Sequence, residues 1–224
     1  MKPVLALLLL LSCGIAHAQA TRFPVLPASG RTVAAFVPKR WFIKDSATGD
    51  LNRDGLADKA IVIESRDSIN ELRPDSTINN GSPRILVVLL KNSSTGRYDK
   101  LLQNNTFIVR WGEGGMDPEA YGGTTIEKGV LKTRVSFLRQ QLAYTFRYQH
   151  GDLYLIGGRS TGVSGGIIDG FDANFSTGRA RVSQMLMDDE KEYVEWIKLP
   201  KKSLKKLRNM RMILEWEVMK GKLL

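Results

Sequence analysis

Four oxygen-bearing side chains recur at Asp50, Asn52, Asp54 and Asp58, with one glycine at Gly55. Hard cations such as Ca²⁺ take six to eight oxygen ligands at short range. Alternating acidic side chains on a turning loop supply them, and Gly55 permits the sharp turn. Without a cation, three carboxylates placed so close repel one another. The spacing therefore predicts a metal-stabilised loop, with an ion-free, carboxylate-rich turn as the alternative.

The residues after the loop decide its type. A helix–loop–helix calcium site places a bidentate Glu at position twelve. Counted from Asp50 that position is Ile61, so this template fails. Lys59 to Glu64 instead form a β-branched apolar run that predicts a buried strand. A loop of form DxNxDGxxD leading straight into a strand resembles the calcium loops of FG-GAP and VCBS repeats, and the resemblance covers residues 49 to 64. It implies side-chain ligation by Asp50, Asn52, Asp54 and Asp58, with Leu56 giving its backbone carbonyl. In such repeats the ion is structural, so the motif speaks for a metal rather than for an activity. Phe36, Pro38 and Trp41 before the loop complete a layout similar to a group of uncharacterised secreted bacterial proteins. The loop occurs once. Asp172 to Gly178 begins in the same way but lacks the closing Asp, and predicts a polar turn. The chain is too short for a propeller of several four-stranded blades.

Other candidate chemistry is sparse. Glu113, Asp117 and Glu119 lie with Tyr121 in the glycine-rich stretch 112–123, which Trp111 precedes. Paired carboxylates beside aromatics are the equipment of a glycan hydrolase; a plain glycine-rich connection is the alternative. Beyond residue 18 the single histidine is His150, beside Gly151 and Asp152, and it predicts a turn. Cys13 is the only cysteine, which rules out a thiol nucleophile or a Cys/His zinc site in the rest of the chain. Gly157 to Gly166 lacks the Lys-Ser/Thr ending of a phosphate loop and reads as a flexible loop.

Met1 to Ala18 reads as a signal peptide. Lys2 precedes the apolar run Val4 to Leu11, and Ala16-His17-Ala18 is a small-x-small cleavage site that leaves Gln19 first. Leu10-Leu11-Ser12-Cys13 offers a lipobox-like rival in which Cys13 is acylated. No later segment approaches the ~20 apolar residues of a membrane span. These features predict a periplasmic or secreted protein. The net charge is +10, and residues 201–224 carry most of it: eight Lys and Arg stand against Glu215 and Glu217. In that compartment the acidic partners for this segment are anionic envelope components: glycan, lipopolysaccharide or lipid headgroups. A solvated basic face is the alternative.

The elements that must position these groups read as mainly β. Residues 19–32 form an extended lead-in, and Val33 to Val37 a short helix stopped by Pro38. Strands are predicted at Trp41–Ile43, Lys59–Glu64, Arg84–Lys91, Arg97–Leu102 and, around a Lys128-Gly129 turn, Ile126–Leu138. Further strands fall at Leu142–Tyr148, Leu153–Ile156, Ala180–Leu186, Tyr193–Leu199 and Ile213–Val218. Ser65 to Pro83 reads as a long polar loop, and Ser203 as the cap of a short basic helix bearing Leu204, Leu207 and Met210. The prediction is one antiparallel β domain over 33–224, sandwich- or barrel-like, with about nine strands and one or two short helices. Two functions stay open: a non-enzymatic, calcium-stabilised binding or accessory domain, and a hydrolase using Glu113, Asp117 or Glu119.

Overall fold

The computed structural model describes residues 23–73, 75–189 and 191–224. The signal peptide, Cys13 and the Gln19 start lie outside them. The strands run in chain order: β1 Ser29–Gly30, β2 Trp41–Gly49, β3 Asp58–Ser65, β4 Glu71–Leu72, β5 Ile78–Asn79, β6 Arg84–Lys91, β7 Tyr98–Asn104 and β8 Tyr121–Glu127. They continue with β9 Val130–Ser136, β10 Gln140–Gln149, β11 Asp152–Ser164, β12 Ile167–Asn174, β13 Arg179–Leu186, β14 Glu192–Lys198, β15 Glu217–Met219 and β16 Lys222–Leu223. All pairings are antiparallel. One large sheet has the order β1-β7-β6-β3-β2, a second is a meander from β8 to β14, and β4-β5 and β15-β16 form two small two-stranded sheets. The mainly β, sandwich-like expectation holds, and no barrel closes among the described residues.

The apolar runs explain the layers. β3 and β6 lie in the middle of the five-stranded sheet and are buried on both faces, so neither alternates in sequence. Val62, Leu86 and Val88 face the seven-stranded sheet and pack with Leu142, Tyr144, Phe146, Leu153 and Leu155. Ile61, Ile63, Ile85, Val87 and Leu89 face the other way, where Leu26 and Phe36 cover them. Each such side chain contributes about 1.5–3 kcal/mol relative to exposure. Phe36 belongs to a 3₁₀ turn at Val33–Phe36, where a short helix was expected. The sheets join where β2 meets β8: Asp45 Oδ2 accepts from Tyr121 Oη at 2.7 Å and from Thr124 N at 2.8 Å.

The tight turns of the meander follow local chemistry. Lys128-Gly129 and His150-Gly151 each place two successive residues at positive φ, as two-residue hairpins of matching twist require. His150 is thus a turn residue.

Four expectations need correction. Gly157 to Ser164 is no loop; it continues β11 and pairs with β12, a strand the sequence reading missed. The 65–83 stretch holds the β4–β5 hairpin. Ser203 caps no helix: the only helical turn there is Leu207–Asn209, preceded by Lys206. Of Ile213 to Val218, only Glu217 and Val218 lie in a strand, paired with β16.

Candidate functional site

The Asp50–Asp58 loop closes the β2–β3 hairpin. Its side chains fold it from within. Asp50 Oδ1 accepts from Arg53 N at 2.6 Å and Asp54 N at 3.2 Å, and Asp50 Oδ2 from Gly55 N at 2.9 Å. Asn52 Oδ1 accepts from Asp54 N at 3.2 Å, and Asn52 Nδ2 donates to Asp54 Oδ2 at 2.9 Å. Asp54 Oδ1 accepts from Leu56 N at 2.9 Å. Arg53 and Gly55 adopt positive φ to close the turn. Asp58 differs from the rest. It is fully buried, with Oδ2 accepting from Leu51 N at 2.8 Å and Oδ1 from Lys91 N at 2.9 Å. It thereby pins the loop to the end of β6.

Burial pushes the Asp58 carboxyl above its ordinary range, its backbone hydrogen bonds oppose this, and the charge of Asp54 adds to the rise. Asp50, Asn52 and Asp54 are therefore gathered in one hydrogen-bonded turn, with Asp58 behind it. Among the described residues no group of three His, Cys, Asp or Glu side chains is drawn together as a metal cage. The donor set nonetheless suits a hard cation. A carboxylate has about four lone-pair sites, and the bonds above use two on Asp54, two on Asp58 and three on Asp50.

The 112–123 stretch has a different character. Glu113 Oε1 accepts from Asn79 Nδ2 at 2.7 Å and lies 3.2 Å from Arg73 Nε, while Oε2 accepts from Arg110 N at 2.7 Å. Asp117 accepts from the backbone of Glu119. Gly114 sits where a Cβ would fall 1.8 Å from the Asp117 carbonyl oxygen, so the glycine serves a close backbone approach. Glu119 holds Arg84 with both oxygens, at 2.8 Å to Nη1 and 2.5 Å to Nη2, and Lys44 Nζ at 2.9 Å. Arg84 is fully buried and also donates to Glu64 at 2.6 Å and to the Val109 carbonyl at 2.7 Å. Burial alone would raise the Glu119 carboxyl, but Arg84 and Lys44 bring it down to about 2. Beside it, burial pushes the Tyr121 hydroxyl well above its usual range.

The arginines were not singled out from the sequence. Arg84 stands at the head of an apolar strand, Arg110 is as fully buried, and Arg73 is nearly so. Arg110 pairs with Glu71 of the β4–β5 hairpin. A buried guanidinium must find a carboxylate. Its signal in sequence is thus an arginine bordering an apolar run, as at Arg84 and Arg110.

The basic C-terminal segment is partly neutralised. Asp152 binds Arg208 Nε at 2.6 Å and Lys206 Nζ at 3.6 Å. Glu215 binds Arg211 at 3.4 Å and Lys205 at 3.8 Å. Lys201, Lys202 and Lys220 are exposed.

Comparison of the chain with protein-family models, curated proteins and solved structures finds no match.

Proposed function

We propose that this chain is an extracytoplasmic binding or accessory domain, non-enzymatic and stabilised by Ca²⁺. The observation that carries the reading is the internally bonded Asp50–Asp58 turn, anchored to β6 through buried Asp58. Asp50, Asn52, Asp54 and Asp58 would hold the ion with their side chains, and Leu56 with its carbonyl. Bound there, Ca²⁺ supplies positive charge to a turn dense in carboxylates. A buried carboxyl raised above its ordinary range costs stability while ionised, and an adjacent cation offsets that cost.

Hydrolysis of glycan finds less support. A general acid needs a carboxyl raised toward neutral pH. Glu119 is displaced in the opposite direction by Arg84 and Lys44, and Glu113 is engaged by Arg73, Asn79 and the Arg110 amide. The partner reading places an anionic envelope component, whether glycan, lipopolysaccharide or lipid headgroup, against the lysines of 201–224 that have no ion pair among the described residues.

Thermal melting with millimolar Ca²⁺ and then with excess EGTA tests the calcium reading. Binding to the native state alone at a hundredfold excess over Kd stabilises by about 2.7 kcal/mol. For a domain of this size that raises Tm by about 5–10 °C. Asp54→Ala should lose the calcium response. Identical melting curves in Ca²⁺ and EGTA would overturn the proposal. Mass spectrometry of protein exported from a bacterial host checks the compartment, with Gln19 as the expected first residue.

A further inference from the structure

Trp111 is 58% exposed and borders a cleft of about 380 Å³. The cleft lies between the end of β3, the chain joining β5 to β6 and the start of the glycine-rich stretch. Its size falls within the range of small-molecule sites. Apart from Trp111 and Ile78 its side-chain walls are polar, with Glu64, Ser68, Asn80 and Ser82 among them. Asn79 is spent on Glu113 and on the Gly81 N–H, and Glu64 Oε2 on Arg84. No hydrogen bond within the described residues uses the side chains of Ser68, Asn80 or Ser82, or Glu64 Oε1. The Glu64 side chain is 13% exposed, and its Oε1 is not sealed from solvent. The wall itself is tied in place. Gly81 N donates to Asn79 Oδ1 at 2.6 Å, and Ile69 N donates to the Gly81 carbonyl at 3.3 Å. A Cβ at Gly81 would fall 2.9 Å from the Trp111 carbonyl oxygen, so the glycine lets this chain run against the Trp111 backbone. Opposite, Gly112 N donates to the Pro118 carbonyl at 2.8 Å.

These groups suit one kind of molecule. A sugar ring carries C–H bonds on its faces and hydroxyls around its rim. The electron-rich face of an indole attracts the first, at low cost in side-chain entropy. Carboxylate, amide and hydroxyl groups supply donors and acceptors to the second. An apolar ligand would strip water from the free polar groups and return no hydrogen bond. An anion finds no Lys or Arg on the walls and meets Glu64 instead. We propose that this cleft binds an uncharged sugar unit of a glycan, stacked on Trp111, with its hydroxyls bonded to Glu64, Asn80 and Ser82. The inference rests on the reading of the chain as a binding domain and names the site and ligand class.

Maltotriose, cellotriose and tri-N-acetylchitotriose are the neutral probes, with trigalacturonate and adenosine as the charged and the flat aromatic controls. Each is titrated into the full chain by calorimetry, and tryptophan fluorescence is followed in parallel. At least one neutral trisaccharide binds and changes the fluorescence, and both controls bind at least about tenfold more weakly. Trp111→Ala lowers the affinity about tenfold or more and removes the fluorescence change, with Tm unmoved because the side chain is exposed. Asn80→Ala and Ser82→Ala each lower the affinity about three- to tenfold, the worth of a hydrogen bond. No binding of any neutral probe, a control that binds as tightly, binding retained in Trp111→Ala, or binding indifferent to both Asn80→Ala and Ser82→Ala overturns the proposal. All titrations are run in Ca²⁺ and in EGTA. A chain that melts higher in Ca²⁺ but ignores the sugars refutes the cleft inference alone. A chain that binds a sugar through Trp111 with no calcium response refutes the calcium reading alone.

Discussion

Glu119→Gln is the sharpest probe of the network beside the seven-stranded sheet. Arg84 is fully buried, and Glu119, about a third exposed, grips it with two hydrogen bonds. Glutamine keeps the shape and one acceptor but removes the charge. The Glu119 carboxyl moves from 4.5 to about 2 on folding. Taken whole, that displacement corresponds to at most about 3.4 kcal/mol. Solvent at the exposed third of the side chain screens part of it, leaving about 2 kcal/mol. The sign follows from the direction. The folded midpoint lies below the unfolded one, so the contribution is complete above pH 4.5 and fades as pH falls through 4.5 toward 2. Urea unfolding of parent and variant at pH 7 and pH 3 is the assay. At pH 7 the variant midpoint should fall by about 1 M. At pH 3 the free-energy gap should shrink to less than half, because the parent has lost most of the same contribution. An unshifted midpoint at pH 7, or a gap of constant size at both pH values, would refute the reasoning.

Asn104 ties the C-terminal segment to the core: Nδ2 donates to the Leu207 and Met210 carbonyls at 2.8 Å each, and Oδ1 accepts from Phe107 N at 2.8 Å. Asn104→Ala should cost about 2–3 kcal/mol, seen as a lower Tm and faster proteolysis within 207–224; an unchanged Tm contradicts this. Liposomes of anionic lipid should retain the parent chain at low salt and release it at high salt. Replacing Lys201, Lys202, Lys220 and Lys222 with Gln removes about 1 kcal/mol per residue from that attraction, and undiminished retention would leave the segment a merely solvated face.

What the sequence conveys depends on how local the physics is. Leu142 to Gln149 is legible because one face is buried and the other is not, so the two-residue period of a strand is written along it. β11 and β12 are obscured by glycines that read as flexibility. Gly158 and Gly170 are there for closeness: a Cβ at Gly158 would fall 2.3 Å from Leu224, and one at Gly170 would fall 2.4 Å from the Ser183 hydroxyl. The partners lie at the far C-terminus or on the next strand, which no local window contains. In the C-terminal segment the alternating pattern of Ile213 to Val218 is overridden. Leu214 takes positive φ, and its N–H donates to the Tyr144 hydroxyl. Upstream, Lys205 and Lys206 are held extended along Leu155 and Tyr154, so the helix suggested by Leu204, Leu207 and Met210 does not form.

The same distinction separates the two candidate sites. The side chains of Asp50, Asn52 and Asp54 find partners within a few residues, and only Asp58 reaches further, its second oxygen meeting Lys91. A motif scan therefore sees nearly all of that turn. The carboxylates of 112–123 carry no such local meaning. Glu119 reads as a free acid beside aromatics until Arg84, thirty-five residues earlier in the chain, is placed against it. Glu113 reads the same way until Arg73 and Asn79 arrive from the hairpin region. Once those cations are in place, the acids hold the fold together rather than stand ready for catalysis.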